Sequence, residues 1–390
     1  MSVTNKKIIS PIKELFLALC LIGGEVSAIT IKMMKDDYGD SYIKRNVVYN
    51  LMHKGYIRKI GIKSDYGYVL TEDGFNYLRI KCPHKYRYEA YCSSPSYIYK
   101  DSIRERNRRL TTVMYCLVKQ GVSITNHYAD ICNIINHYNV KISETFFVTA
   151  KELRSTNERL SMCFGSRMYG CIVSPEGITV VYSPDMEHNL FLSKEEAFHH
   201  TLTDVLEYAK PPFNNQENLN TLYLYNNISD IKDSYEVDVS RIDKRVAQTR
   251  RAYKHLRYQN SYLNTLSNSS YEIKDVLFAK NKEQINKVFF DYFDLEPLKV
   301  TLETTFADGV YEDGVLTVIN WTLNPKKMVQ LMRYVLESRD KVLLLCFSEQ
   351  TKIVDTILSV NKNMKNKVIV ASLPRNDVVK YINGEIDEIE

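Results

Sequence analysis

Apolar positions recur at helical spacing through much of the first eighty residues and then give way to a different rhythm. Ile12, Leu15, Phe16, Leu19 and Ile22 form one stripe and predict a first helix, opened by Ser10 as N-cap and Pro11 at the first helical position. Gly23-Gly24 stops it, and a short second helix is expected over 27–34. Ile43, Val47 and Leu51 repeat the stripe and predict a third helix that begins near Asp40 as its cap. Two short apolar runs then flank the turn Ser64-Asp65-Tyr66-Gly67, the pattern of a hairpin. The sequence LTEDG at 70–74 starts a closing helix with Thr71 as its cap. Three helices, a hairpin and a closing helix predict a winged helix-turn-helix over 1–81.

A projection at about 100° per residue sets the polar face of the third helix opposite its buried stripe. The candidate DNA contacts are Ser41, Tyr42, Arg45, Asn46, Tyr49 and His53 on that helix, with Lys63 and Tyr66 in the hairpin. These side chains suit phosphates and base edges. The same module could instead recognise protein.

Residues 82–101 lack periodicity and are rich in Tyr, Ser and Pro, so 82–144 reads as a linker and helical connector. The connector helix starts at Ser102 and carries Arg104, Arg106, Arg108 and Arg109 ahead of Leu110, Val113, Met114 and Leu117. That cluster is either a solvated helix start or a phosphate clamp. From about residue 146 the pattern becomes α/β: FFVTA, MYGCIVS and ITVVYS as strands, then a helix over 194–208, together a first unit at 145–210. Residues 211–271 read as a junction containing a basic helix, and 272–390 as a second α/β unit. The second unit repeats the order of the first, with Gly170 near Asp308 or Gly309 and Val181-Tyr182 near Ile319-Asn320, which suggests an internal repeat. The expected fold class is therefore α+β and multidomain, an N-terminal winged helix followed by one or two α/β units.

In the junction, SRIDKRVAQTRRAYKHLRY at 240–258 predicts a helix capped by Ser240. Lys244, Arg245, Arg250, Arg251 and Lys254 belong to its basic face or flanks, either a second nucleic-acid surface or a solvated face. Composition limits how far this can extend, since 52 Lys+Arg against 47 Asp+Glu leave a net charge of only +5 across 390 residues. Any basic surface must be local.

No run approaches the roughly 18 apolar residues of a membrane span. Lys6-Lys7, the apolar run at 15–22 and Val26-Ser27-Ala28 imitate a signal peptide, but Glu14 abuts the run and cleavage would remove the first helix, so a cytoplasmic protein with no membrane partner is expected. The eight cysteines stand singly and read as reduced thiols; Cys82, His84 and Cys92 lack the fourth ligand of a zinc site.

Phosphate loops and paired metal histidines are missing, so no cofactor, metal or catalytic residue is assigned. The second unit invites comparison with PD-(D/E)xK nucleases, with Asp308 as first acid. Asn320-Trp321-Thr322 stands where the acid-x-lysine belongs, which leaves too little carboxylate charge for a hard cation.

Five segments carry a family resemblance: LTEDGFNYL at 70–78, RERNRRLTTVMYCLVKQGV at 104–122, AKEL at 150–153, GSRMYGCIVSPEGITVVYS at 165–183 and the helix start Lys194-Glu195-Glu196. Through them the chain resembles replication-relaxation-type proteins of plasmids and integrative elements from low-GC Gram-positive, clostridial bacteria. That resemblance implies a winged helix joined to an α/β domain like a degenerate restriction-nuclease fold. It also implies a double-stranded DNA-binding protein of a mobile element, acting in plasmid replication, relaxation or conjugative transfer, without catalysis. Expected partners are origin or operator repeats, further copies of the chain as a homo-oligomer, and host replication or element-transfer proteins. The competing expectations are a transcriptional regulator and a metal-dependent nuclease.

Overall fold

The computed structural model describes residues 9–61, 66–91, 101–183, 192–225, 227–243, 261–265, 282–298, 306–338 and 340–389. Lys63, Lys244, Arg245, Arg250, Arg251, Lys254 and Cys92 lie outside the described residues. Helices and three sheets alternate along a mixed α+β chain. No helix among the described residues is long and apolar enough to cross a membrane.

The N-terminal part runs α1 (Pro11–Gly23), β1 (Val26–Ser27), α2 (Ala28–Tyr38), a π-helical stretch (Tyr42–Tyr49) that continues into α3 (Asn50–His53), β2 (Ile57–Ile60), β3 (Gly67–Leu70) and α4 (Glu72–Lys81). β3 pairs antiparallel with both β1 and β2. The third helix departs from expectation at its start: Asp40 forms an ion pair with Lys35 at 2.7 Å, and the chain winds as a π-helix. Val48 thereby joins Ile43, Val47 and Leu51 in the core.

The Leu-Thr step after the hairpin has a physical reason. Thr71 accepts the Gly74 N–H at 3.1 Å while its own N–H donates to the Tyr56 carbonyl at 3.0 Å. A Cβ on Gly74 would sit 2.0 Å from that same carbonyl, so only glycine lets α4 close on the chain entering β2.

Beyond α5 (Tyr88–Tyr91), α6 (Asp101–Lys119) is more than a connector. Met114, Tyr115 and Leu117 share one core with Phe16, Leu19 and Val47 of the N-terminal part and with Phe147, Ile172, Val181, Leu222 and Leu224 of the following sheet. Aromatics of the expected linker are packed down: Tyr88 donates to the Cys82 carbonyl and Tyr86 to Glu14.

The first α/β unit contains α7 (Tyr128–Ile135), β4 (Phe146–Thr149), α8 (Ala150–Arg154), α9 (Glu158–Ser161), β5 (Gly170–Ser174), β6 (Gly177–Tyr182), α10 (Leu192–Leu206), β7 (Leu219–Tyr225), α11 (Ile228–Asp243) and β8 (Ser261–Thr265). The stretch 211–271 is therefore not a junction, because β7, α11 and β8 complete the first sheet. Ser240 as the cap of a helix over 240–258 is corrected as well, and 244–258 lie outside the described residues. α11 starts at Ile228, where Asn227 Oδ1 accepts the Asp230 N–H at 3.0 Å, and Ser240 falls inside its last turn.

The second unit contains α12 (Lys282–Tyr292), β9 (Glu296–Pro297), β10 (Gly309–Tyr311), β11 (Val315–Ile319), α13 (Pro325–Glu337), β12 (Val342–Phe347), α14 (Thr351–Leu358), α15 (Lys362–Lys367), β13 (Val368–Leu373) and α16 (Arg375–Ile382). Both five-stranded sheets keep sequence order, with two antiparallel joins followed by two parallel ones. The repeat extends to register, with a shift from the overlay that sequence suggests. Gly170 faces Val181 and Gly309 faces Thr317, so Ser183 corresponds to Ile319 and Tyr169 to Asp308. In each unit the residue before that glycine donates its N–H at 2.8 Å to the facing carbonyl.

Strand residues alternate between two cores, as expected of sheets covered on both faces. Val180, Tyr182, Tyr223 and Tyr225 face a central core that also takes Val318, Leu344 and Cys346 from the second sheet. Phe198 and Leu202 of α10, Ile231 and Tyr235 of α11, Leu331 and Met332 of α13, and Ile353 and Ile357 of α14 fill the space between the sheets. The outer face of the second sheet is closed by α12 and α16, where Phe289, Trp321, Phe347 and Val378 meet.

Candidate nucleic-acid interface

Burial of Ile43, Val47, Val48 and Leu51 turns the opposite side of the third helix outward. Ser41, Arg45, Asn46, Tyr49 and His53 are exposed and Tyr42 is half-buried. Tyr49 is 66% exposed for a residue that ordinarily seeks cover, and its ring lies 6.0 Å from that of His53. The hairpin adds cations that the sequence pattern did not single out. Arg58 and Lys59 are exposed on β2 beside buried Ile57, and Lys59 Nζ sits 4.3 Å from the Tyr66 ring centre. Lys44 and Lys54 are exposed on and just after the third helix. The two adjacent cations within the run IRKI were the available signal for Arg58 and Lys59.

The α6 arginines form no open basic stripe. Arg104 donates to both carboxylate oxygens of Glu25, at 3.2 and 3.1 Å, and Arg108 Nε reaches Oε1 at 2.6 Å. Glu25 is fully buried, and its carbonyl accepts from Thr111 Oγ1 at 2.8 Å. A buried carboxylate requires such partners, so these two arginines dock α6 onto the N-terminal part rather than reach into solvent. Arg109 Nη1 donates to the Ser183 carbonyl at 3.0 Å, and Arg106 Nη2 to the Met168 carbonyl at 3.5 Å. Of the four, Arg106 is the exposed one.

At the position proposed for a nuclease acid, Asp308 is already engaged. Lys327, on the first turn of α13, places Nζ at 2.7 and 2.8 Å from its two oxygens and at 3.2 Å from the Ile319 carbonyl. Asp308 Oδ2 also accepts the Ile319 N–H at 2.8 Å. Asn320 is spent on the turn, where its Oδ1 accepts the Asn324 N–H at 2.7 Å. A divalent cation here would meet one carboxylate and would have to displace a resident ammonium, so these residues do not fit a Mg²⁺ site. Among the described residues no three His, Cys, Asp or Glu side chains are grouped to hold a metal ion.

The most unusual buried polar groups line α10. Glu195 is fully buried; burial raises its carboxyl above the usual range against the pull of Ser166 Oγ at 2.5 Å and the Arg167 N–H at 2.8 Å. His199 is held neutral, pushed down to about 3 by burial and then by the His200 charge, with its ring 6.0 Å from that of Tyr182. Burial likewise pushes the Cys116 and Cys346 thiols up to about 12, which makes them inert. These groups lie inside the packing and expose no reacting surface. The chain matches no family model, no curated protein and no solved structure.

Proposed function

We propose that the protein binds double-stranded DNA through its N-terminal part, which we read as a winged helix-turn-helix. The observation that carries this reading is the outward set Arg45, Asn46, Tyr49 and His53 on a helix whose other face is anchored in the core. Arg45 and Asn46 are suited to bidentate contacts with guanine and adenine edges, and the cationic hairpin beside them to phosphates. We read the two sheets as degenerate restriction-nuclease-like units that assemble the protein instead of cutting DNA. Asp308 at the opening of β10 supports that ancestry and its partner Lys327 the loss of metal chemistry. The role we assign within this reading is replication initiator or accessory protein of a mobile element, acting as a homo-oligomer on repeated sites.

Footprinting and salt-dependent binding on the element's intergenic DNA test the reading. Arg45→Ala should weaken a specific site by about 1–3 kcal/mol, whereas Lys59→Ala should weaken all sequences alike. Protection of several spaced repeats supports an initiator and a single palindrome a regulator. Specific binding that survives Arg45→Ala and Asn46→Ala together would remove this helix from the DNA contact.

A further inference from the structure

Once Arg104 and Arg108 are committed to Glu25, the remaining cations of this region gather around one short piece of chain, 165–168, ahead of β5. Arg106 comes from α6 and donates to the Met168 carbonyl; Arg154 comes from α8 and donates to the Ser166 carbonyl at 2.7 Å. Lys194, from the first turn of α10, lies over Gly165, where a Cβ would come within 3.0 Å of its Nζ. The missing side chain of Gly165 is what admits the lysine. Arg106 and Lys194 are exposed and Arg154 is half-buried.

The neighbouring acids offset only part of this charge: Glu195 favours the protonated Arg154, but by less than burial and Arg106 disfavour it. Glu195 is buried and bonded to Ser166 and the Arg167 N–H, and Glu152 is taken up by the capping box with Thr149. Carbonyl acceptors orient guanidinium groups without neutralising them. Arg154 accordingly holds its proton less tightly than an ordinary guanidinium, through burial first and the nearby Arg106 charge second. Cations fixed side by side at a surface form an anion site, and arginine forks match phosphate oxygens.

We infer that Arg106, Arg154 and Lys194 form a second binding site that takes a phosphate group. The phosphodiester backbone of nucleic acid is the occupant this chain's basic hairpin favours, and free phosphate is the other source of the same chemistry. The site is built on α6, α8 and α10 and uses no residue of the third helix; its nucleic-acid occupant rests on the DNA-binding reading above, whereas free phosphate as occupant does not.

The test uses the full chain, fluorescence anisotropy on a mixed-sequence duplex across a salt series, and thermal shift with inorganic phosphate. Arg106→Gln with Lys194→Gln changes two exposed side chains. A backbone occupant predicts that the slope of log affinity against log salt becomes shallower by about 0.9 for each phosphate that the double variant no longer neutralises. Arg45→Ala should leave that difference in place. Free phosphate as occupant predicts instead a phosphate-induced rise in Tm that the double variant loses, with the duplex slope unchanged. Arg154→Lys, which keeps the charge and removes the fork, should show a smaller loss than Arg154→Gln in whichever assay responds. Identical salt slopes and identical phosphate responses in wild type and double variant would overturn the inference.

Discussion

The two α/β units share strand order, pairing and register, yet they close their outer faces by opposite means. The second unit closes its own: Phe289 of α12 packs 5.6 Å from Phe347, which lies 5.7 Å from Trp321, and Trp321 Nε1 finds Asn286 at 2.7 Å. The first unit borrows cover from α6 and the N-terminal part, and that cover is pinned by a fully buried carboxylate between two arginines. Apolar closure is tolerant of small shifts, whereas a buried ion pair fixes one geometry and is expensive to break. The first unit is thereby built to hold the N-terminal part in a set orientation, and the second is free of that duty.

The largest effect should come from breaking that pin. Glu25→Gln leaves Arg104 and Arg108 facing a neutral amide in a buried site and should cost about 3–5 kcal/mol in urea unfolding. The loss should appear as early exposure of the interface between the N-terminal part and α6, read by hydrogen exchange in α6 and β1. A cost below about 1 kcal/mol would mean that the apolar packing of α6 docks the module unaided.

The inner faces differ too, and pH distinguishes them. α10 buries His199, whereas the buried face of α13 carries Met328, Leu331, Met332 and Val335. The folded value for His199 is about 3, below its ordinary 6.5, so the unfolded chain binds the proton more readily. The stability it contributes is complete above about pH 6.5 and falls by about 1.4 kcal/mol per pH unit below that, levelling off near pH 3. Glu195, with its raised folded value, slopes the other way, so the comparison must be a difference between variants. Relative to His199→Leu, the wild type should lose about 2 kcal/mol between pH 6.5 and 5. Parallel pH profiles for the two proteins would place His199 in contact with water and outside the core.

Much of this architecture is legible in local pattern. The stripes of α1 and the third helix, the Thr71 cap, the strands of 146–183 and the apolar β12 and β13 are all written in nearest-neighbour chemistry. What escapes is non-local. β7 is hidden because Asn220 and Thr221 continue the polar loop before it, although the run TLYLY is strand-like; both polar residues are buried only because β6 and β8 flank them. The α6 arginines look like a surface because Glu25 lies 79 residues from Arg104, and no spacing rule connects them. The convergence of Arg154 and Lys194 is silent for the same reason. The outward face of the third helix is legible because burial of its other side already decides it, even with the π winding.

The smallest effect concerns a point where the units are equivalent in position and different in charge. The equivalent carbonyl at the end of the third strand is capped by a cation in both, Arg109 on Ser183 and Lys327 on Ile319, but only the second unit adds a carboxylate, since Tyr169 stands where Asp308 does. Asp308 and Lys327 are each about a third exposed, so solvent screens the pair. A double-mutant cycle with Asp308→Asn and Lys327→Met should give a coupling of about 0.5–1 kcal/mol in urea unfolding. Asp308→Asn alone should be the milder single change, because the asparagine can still accept the Ile319 N–H and Lys327 retains the carbonyl. Strict additivity would reduce the pair to proximity, leaving the carbonyl as what holds Lys327 in place and making the two units alike in energetics despite their difference in charge.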